Sequence, residues 1–97
     1  MKILIHAPSR RSLARARVEA ARLLALPIEG MVRVVATLEG AEAAAAERDA
    51  ATDPLLILCG DSLGAAGVPH PPGVEVVPNG TELVAKLQRK GWAYVHG

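Results

Sequence analysis

Phenylalanine is absent, and Trp92 and Tyr94 are the only aromatic residues in this chain of 97. No aromatic side chain is interleaved with the arginines, so the usual platform for stacking bases is missing and nucleic acid is not an expected partner. Cysteine is almost absent too. Cys59 stands alone, which excludes an internal disulfide, a Cys-x-x-Cys redox pair and a cysteine-built zinc cage. The three histidines, His6, His70 and His96, have no ligand spacing that names a metal, and no cofactor is expected. No apolar run approaches the roughly 18 residues that a membrane helix needs. With no signal peptide or lipidation motif, the expectation is a cytoplasmic protein without membrane contact. The segment 6–12, "HAPSRRS", has no glycine, so its backbone is not built to hug a pyrophosphate and dinucleotide binding is not expected.

Hydrophobic residues make up 51% of the chain, but eighteen of them are alanines, which contribute little area each. A chain of this length forms one domain, here residues 1–97, and buries roughly 60 to 68% of its extended surface. So modest a core favours a homo-oligomer, in which subunit contacts cover what one copy leaves exposed. The net charge of +1 hides an asymmetry. Residues 1–22 hold six basic side chains against Glu19, whereas the remainder holds five against nine acids. The first helix therefore presents either a solvated basic face or a surface for anions.

The elements follow from patterning. "KILIH", 2–6, is an apolar strand that gives way to Pro8 and Ser9. From Ser12 to Leu26, Leu13, Ala16, Ala20 and Leu23 recur at helical spacing. "MVRVVAT", 31–37, is rich in β-branched residues and reads as a second strand, followed by an alanine-rich helix over 39–50. "PLLILC", 54–59, is a continuous apolar run, the pattern of a central parallel strand covered on both faces. A short helix lies within 61–66, and "GVEVVP", 73–78, is a fourth strand. Asn79 and Glu82 resemble a capping box at the head of an amphipathic helix that Gly91 stops, and "WAYVH", 92–96, is a fifth strand. Strands alternating with helices require crossover connections. The expected fold is a three-layer α/β/α sandwich around a mainly parallel five-stranded sheet.

In such a sheet, chemistry gathers beyond the carboxyl ends of the strands. Cys59 ends the third strand and His6 the first, which puts both on one rim. A free thiol titrates near about 8.5, and a helix N-terminus, free amides in a glycine turn or an adjacent imidazolium each favour its thiolate. The turn of Gly60, Asp61 and Ser62 offers the first two and His6 the third. Asp61 opposes the thiolate unless it is turned aside as a helix N-cap. Ser9 and Ser12 with Arg10 and Arg11 open the first helix, where the serines cap it or the four together hold an anion.

The segment from Cys59 to Val95, "CGDSLGAAGVPHPPGVEVVPNGTELVAKLQRKGWAYV", resembles the C-terminal half of the DsrE/DsrF-like family, and "KILIH" resembles that family's opening strand with its histidine. Two departures flank the presumed site. The first helix has arginine and alanine in "RARVEAARLL" where the family often has asparagine, and no glycine follows the second strand near Thr37. The resemblance implies the parallel sandwich reached above, trimers or hexamers, and a sulfur relay in which the cysteine of the third strand, here Cys59, carries sulfane sulfur as a persulfide between donor and acceptor proteins. Two functions are thus in view. One is a persulfide carrier acting through Cys59, with His6 beside it. The other is a non-catalytic homo-oligomer whose pocket beside His6, Ser9 and the arginines of the first helix holds a small anion, with Arg10 and the Gly60, Asp61 and Ser62 turn as candidate ligands.

Overall fold

A computed structural model describes residues 1–27 and 30–97. Its elements run β1 (Lys2–Ala7), α1 (Arg10–Ala25), β2 (Met31–Ala36), α2 (Leu38–Ala46), a 3-10 turn (Asp53–Leu55), β3 (Leu56–Cys59), α3 (Gly60–Ala66), β4 (Glu75–Val77), α4 (Gly80–Arg89) and β5 (Ala93–His96). The sheet order is β4-β3-β2-β1-β5, and every pairing is parallel. The expected three-layer α/β/α sandwich is the architecture found.

Alternation along the strands divides the core into two layers. Ile3, Ile5 and Ala7 of β1 join Val34 and Ala36 of β2 and Leu56 and Leu58 of β3 under Leu13, Ala16 and Ala20 of α1, Ala41 and Ala44 of α2, and Leu63 of α3. The alanines let helices settle close to the sheet, so three helices share this face. The opposite layer is thinner. Leu4, Val35 and Ile57 meet Val84, with Leu83, Leu87 and Trp92 at the margin. A single helix, α4, covers that side, and Tyr94 is left 41% exposed.

Local chemistry sets the boundaries. Ser9 is the N-cap of α1 in a reciprocal capping box with Ser12, so the helix begins two residues earlier than its apolar spacing indicates. The second helix ends at Ala46 rather than Ala50. There the Arg17 guanidinium takes the Glu47 carbonyl at 2.5 Å and pairs with Asp53 at 3.6 Å, while Arg48 also reaches Asp53 at 2.8 Å. These contacts pull residues 47–53 into a tight connection that no local propensity announces. The third strand is shorter than its apolar run, because Pro54 and Leu55 lie in the 3-10 turn.

Because β1 through β4 step across the sheet in one direction and β5 returns to the far side of β1, the chain reverses between β1 and β5. That reversal is the switch point at which open α/β sheets leave a crevice at the strands' carboxyl ends.

Candidate functional site: a thiol between two helix starts

Cys59 is the last residue of β3 and the N-cap of α3. The ladder pairs it with Val77, whose strand leads through Pro78 into α4, so two helices begin around one sulfur atom. Burial is the largest influence on the thiol and pushes its pKa up. Against that act, in falling order, the Ser62 hydroxyl and the backbone N–H groups of Gly80, Ser62 and Asp61, which together hold the pKa below its ordinary value. The Asp61 N–H also donates to the Pro78 carbonyl at 3.0 Å. Donors fixed by helix backbones suit an anion because they need no reorganisation when charge appears.

Gly80 makes this convergence possible. A Cβ there would stand 2.7 Å from Cγ2 of Thr37 and 3.0 Å from Cβ of Cys59. Only an unsubstituted first residue lets α4 approach so closely. The same approach covers the sulfur. The open rim expected at this strand end is not found, since Cys59 is 4% exposed. Ser62 also lines an open depression of about 380 Å³ with Leu38, Glu39, Glu42, Ala65 and Ala66.

The other residues singled out from the sequence divide into two groups. Gly60, Asp61 and Ser62 gather around Cys59 as expected. Gly60 fits closely under β4, where a Cβ would lie 3.0 Å from the Val77 carbonyl oxygen. Asp61 is not the N-cap, a place held by Cys59. Its carboxylate instead accepts from the Asn79 amide at 3.0 Å, while the Asn79 carbonyl oxygen caps α4 by accepting from Glu82 N–H at 2.9 Å. Asn79 thus ties down the acid that would otherwise be free to oppose the thiolate.

Ser9 and Arg10 do not join this site. The Ser9 hydroxyl is spent in the capping box, and the Arg10 guanidinium pairs with Glu47 at 2.8 Å on the surface. His6 shares the rim, but its ring nitrogens hydrogen-bond with the Tyr94 hydroxyl at 2.9 Å and the Thr37 hydroxyl at 3.0 Å. Burial first, and then the neighbouring His96 imidazole, lower its pKa from 6.5. His6 is therefore a neutral ring at pH 7, and the expected imidazolium partner of the thiolate is replaced by backbone amides. Its link to the sulfur runs through Thr37, which is 3% exposed and packs over Gly80 beside Cys59.

Neither a family model nor a curated protein matches the chain. Among solved structures, the protein of unknown function MTH1491 from Methanobacterium thermoautotrophicum is similar, at 21% identity and a TM-score of 0.79 over 99% of this chain and 98% of that one. The likeness extends over the whole sandwich and is a likeness of fold. No helix among the described residues is long and apolar enough to cross a membrane.

Proposed function

We propose that this chain is a sulfur carrier of the DsrE/DsrF-like type that holds sulfane sulfur as a persulfide on Cys59. The observation that supports the reading best is the set of donors converging on Cys59 Sγ from the starts of α3 and α4. In the loading step the Cys59 thiolate attacks the outer sulfur of a donor persulfide, R–S–SH. The Cys59–S–SH bond forms, the donor's S–S bond breaks and the donor leaves as R–S⁻. In the discharge step an acceptor thiolate attacks the outer sulfur and Cys59 departs as thiolate. Each step is balanced without an external oxidant or reductant.

The same donors serve both halves of the cycle. A thiol of lowered pKa is more often the attacking anion at a given pH than an ordinary thiol, and it is the better leaving group when the persulfide is discharged. Donor and acceptor proteins supply the other thiols, so one cysteine suffices and no resident cofactor is needed. Access runs past Ser62, whose hydroxyl must give way as the partner's sulfur arrives from the Leu38–Ala66 depression. A lone thiol suits a reducing cytoplasm. Homo-oligomerisation belongs to the same reading and is supported by the thinly covered α4 side of the sheet, where Tyr94 is exposed.

The test is intact mass after incubation with a cysteine desulfurase and cysteine. The wild-type chain gains one sulfur and Cys59→Ser gains none. Absence of any adduct with several persulfide donors, or an adduct that survives Cys59→Ser, overturns the reading.

A further inference from the structure

A second place on the molecule has the features of a binding site and shares no residue with the Cys59 cluster. Where the chain reverses between β1 and β5, a cavity of about 270 Å³ is lined by Ser9, Arg11, Ser12, Arg15, His96 and Gly97. Arg11 and Arg15 stand one turn apart on the same face of α1. Most arginines of this chain have a partner: Arg10 and Arg17 reach residues 47 and 53, Arg22 meets Glu19, Arg33 meets Glu75 and Arg48 meets Asp53. Arg11 and Arg15 have no ion pair or hydrogen bond among the described residues. The first turn of α1 carries no acid, and Glu19, which lines the adjoining groove one turn beyond Arg15, pairs with Arg22 at 3.4 Å.

This basic cavity opens onto an apolar one. Arg15, His96 and Gly97 also line a groove of about 520 Å³ whose remaining walls are Ala14, Val18, Glu19 and Val95. Val18 is 52% exposed and Val95 39% exposed, so the groove offers uncovered apolar surface beside Arg15. Paired guanidinium forks match the several oxygens of a phosphoryl group, and the adjoining aliphatic wall matches an uncharged body attached to it.

We propose that the groove between α1 and the end of β5 binds a small organic phosphate carrying an apolar group, with Arg11 and Arg15 on the phosphoryl oxygens and Val18 and Val95 against the apolar part. The site is independent of sulfur transfer, and its failure leaves that reading untouched.

The experiment titrates the full chain with phenyl phosphate and with inorganic phosphate at constant ionic strength, followed by amide chemical shifts. Phenyl phosphate binds saturably and more tightly than inorganic phosphate, with shifts concentrated in residues 9–19 and 94–97. The double variant Arg11→Gln, Arg15→Gln weakens it about tenfold or more, which is about 1.4 kcal/mol. Val18→Asp removes the advantage of the phenyl ester. Arg10→Gln and Cys59→Ser bind as wild type. The proposal is overturned if neither probe saturates, if Arg10→Gln costs as much as the double variant, or if light scattering shows a self-association that Val18→Asp abolishes, which would seat a second copy in the groove.

Discussion

The Leu38 N–H donates to the Ser62 hydroxyl oxygen at 2.7 Å, and Leu38 makes that bond from a left-handed backbone with φ of 51°. Leu38 is the only residue other than glycine with positive φ among those described. A leucine in this region costs about 1–2 kcal/mol, which the rest of the fold has to offset. One lone pair of the Ser62 oxygen is occupied by the Leu38 amide, so the hydroxyl proton is free to turn toward Cys59. The strained residue and the thiol are thus joined through one serine.

Leu38→Gly is expected to stabilise the protein. The side chain is 64% exposed, so little burial is lost, and glycine adopts the left-handed conformation without a Cβ penalty. Part of the gain is offset by the greater freedom of glycine in the unfolded chain, which leaves a net gain of up to about 1 kcal/mol. Urea denaturation measures it. A loss of stability would show that the side chain or the strain serves the fold. The thiol pKa should stay where it is, because the amide remains.

Gly80→Ala is expected to do the reverse. Alanine favours helices, but its Cβ must stand within 3.0 Å of Thr37 Cγ2 in a buried place. Overpacking of this kind costs about 1–3 kcal/mol. Forcing the start of α4 away from the sulfur also withdraws the Gly80 N–H from the thiolate, so the Cys59 pKa should rise. Equilibrium denaturation and a thiolate absorbance titration read the two effects separately. A variant as stable as wild type, with an unmoved thiol pKa, would contradict the close approach.

His6 makes stability depend on pH. Its folded pKa lies below the ordinary 6.5, mainly through burial and then through His96. Between the two values the unfolded chain binds a proton that the folded chain does not, so stability rises with pH across that window and is lost as pH falls below 6.5. His6→Asn should flatten this dependence whatever its effect on absolute stability. Denaturation midpoints compared at acidic and neutral pH check the slope. An unchanged slope in the variant would assign the effect to other groups.

The order of elements was legible because each signal is local. Continuous apolar runs mark β1 and β3, Ser9 and Asn79 are N-caps, and alanine spacing marks the helix faces. Cys59 and its turn were legible for the same reason, since the thiol ends an apolar run and meets Gly60 directly. Its surroundings were not. The sulfur's cover comes from Thr37 and Gly80, residues distant in sequence that only the strand order β4-β3-β2 brings together. The glycine that follows the Asn79 cap was the one available sign that something approaches there. His6 was placed on the correct rim but given a charge that its own burial and then the adjacent His96 do not favour. Of the residues at the start of α1 that pointed toward an anion, Arg10 is taken by Glu47, whereas Arg11 lines the basic cavity with Ser9, Ser12 and, one turn on, Arg15.

The central claim is that backbone and hydroxyl donors outweigh burial at a covered thiol. The pKa of Cys59, measured by thiolate absorbance in the folded protein and again in the same chain unfolded in urea, tests it most directly. The account predicts a folded value below the unfolded one, and a shift upward in Ser62→Ala as the strongest donor is removed. A folded value equal to or above the unfolded one would contradict it, because burial alone would then govern the sulfur.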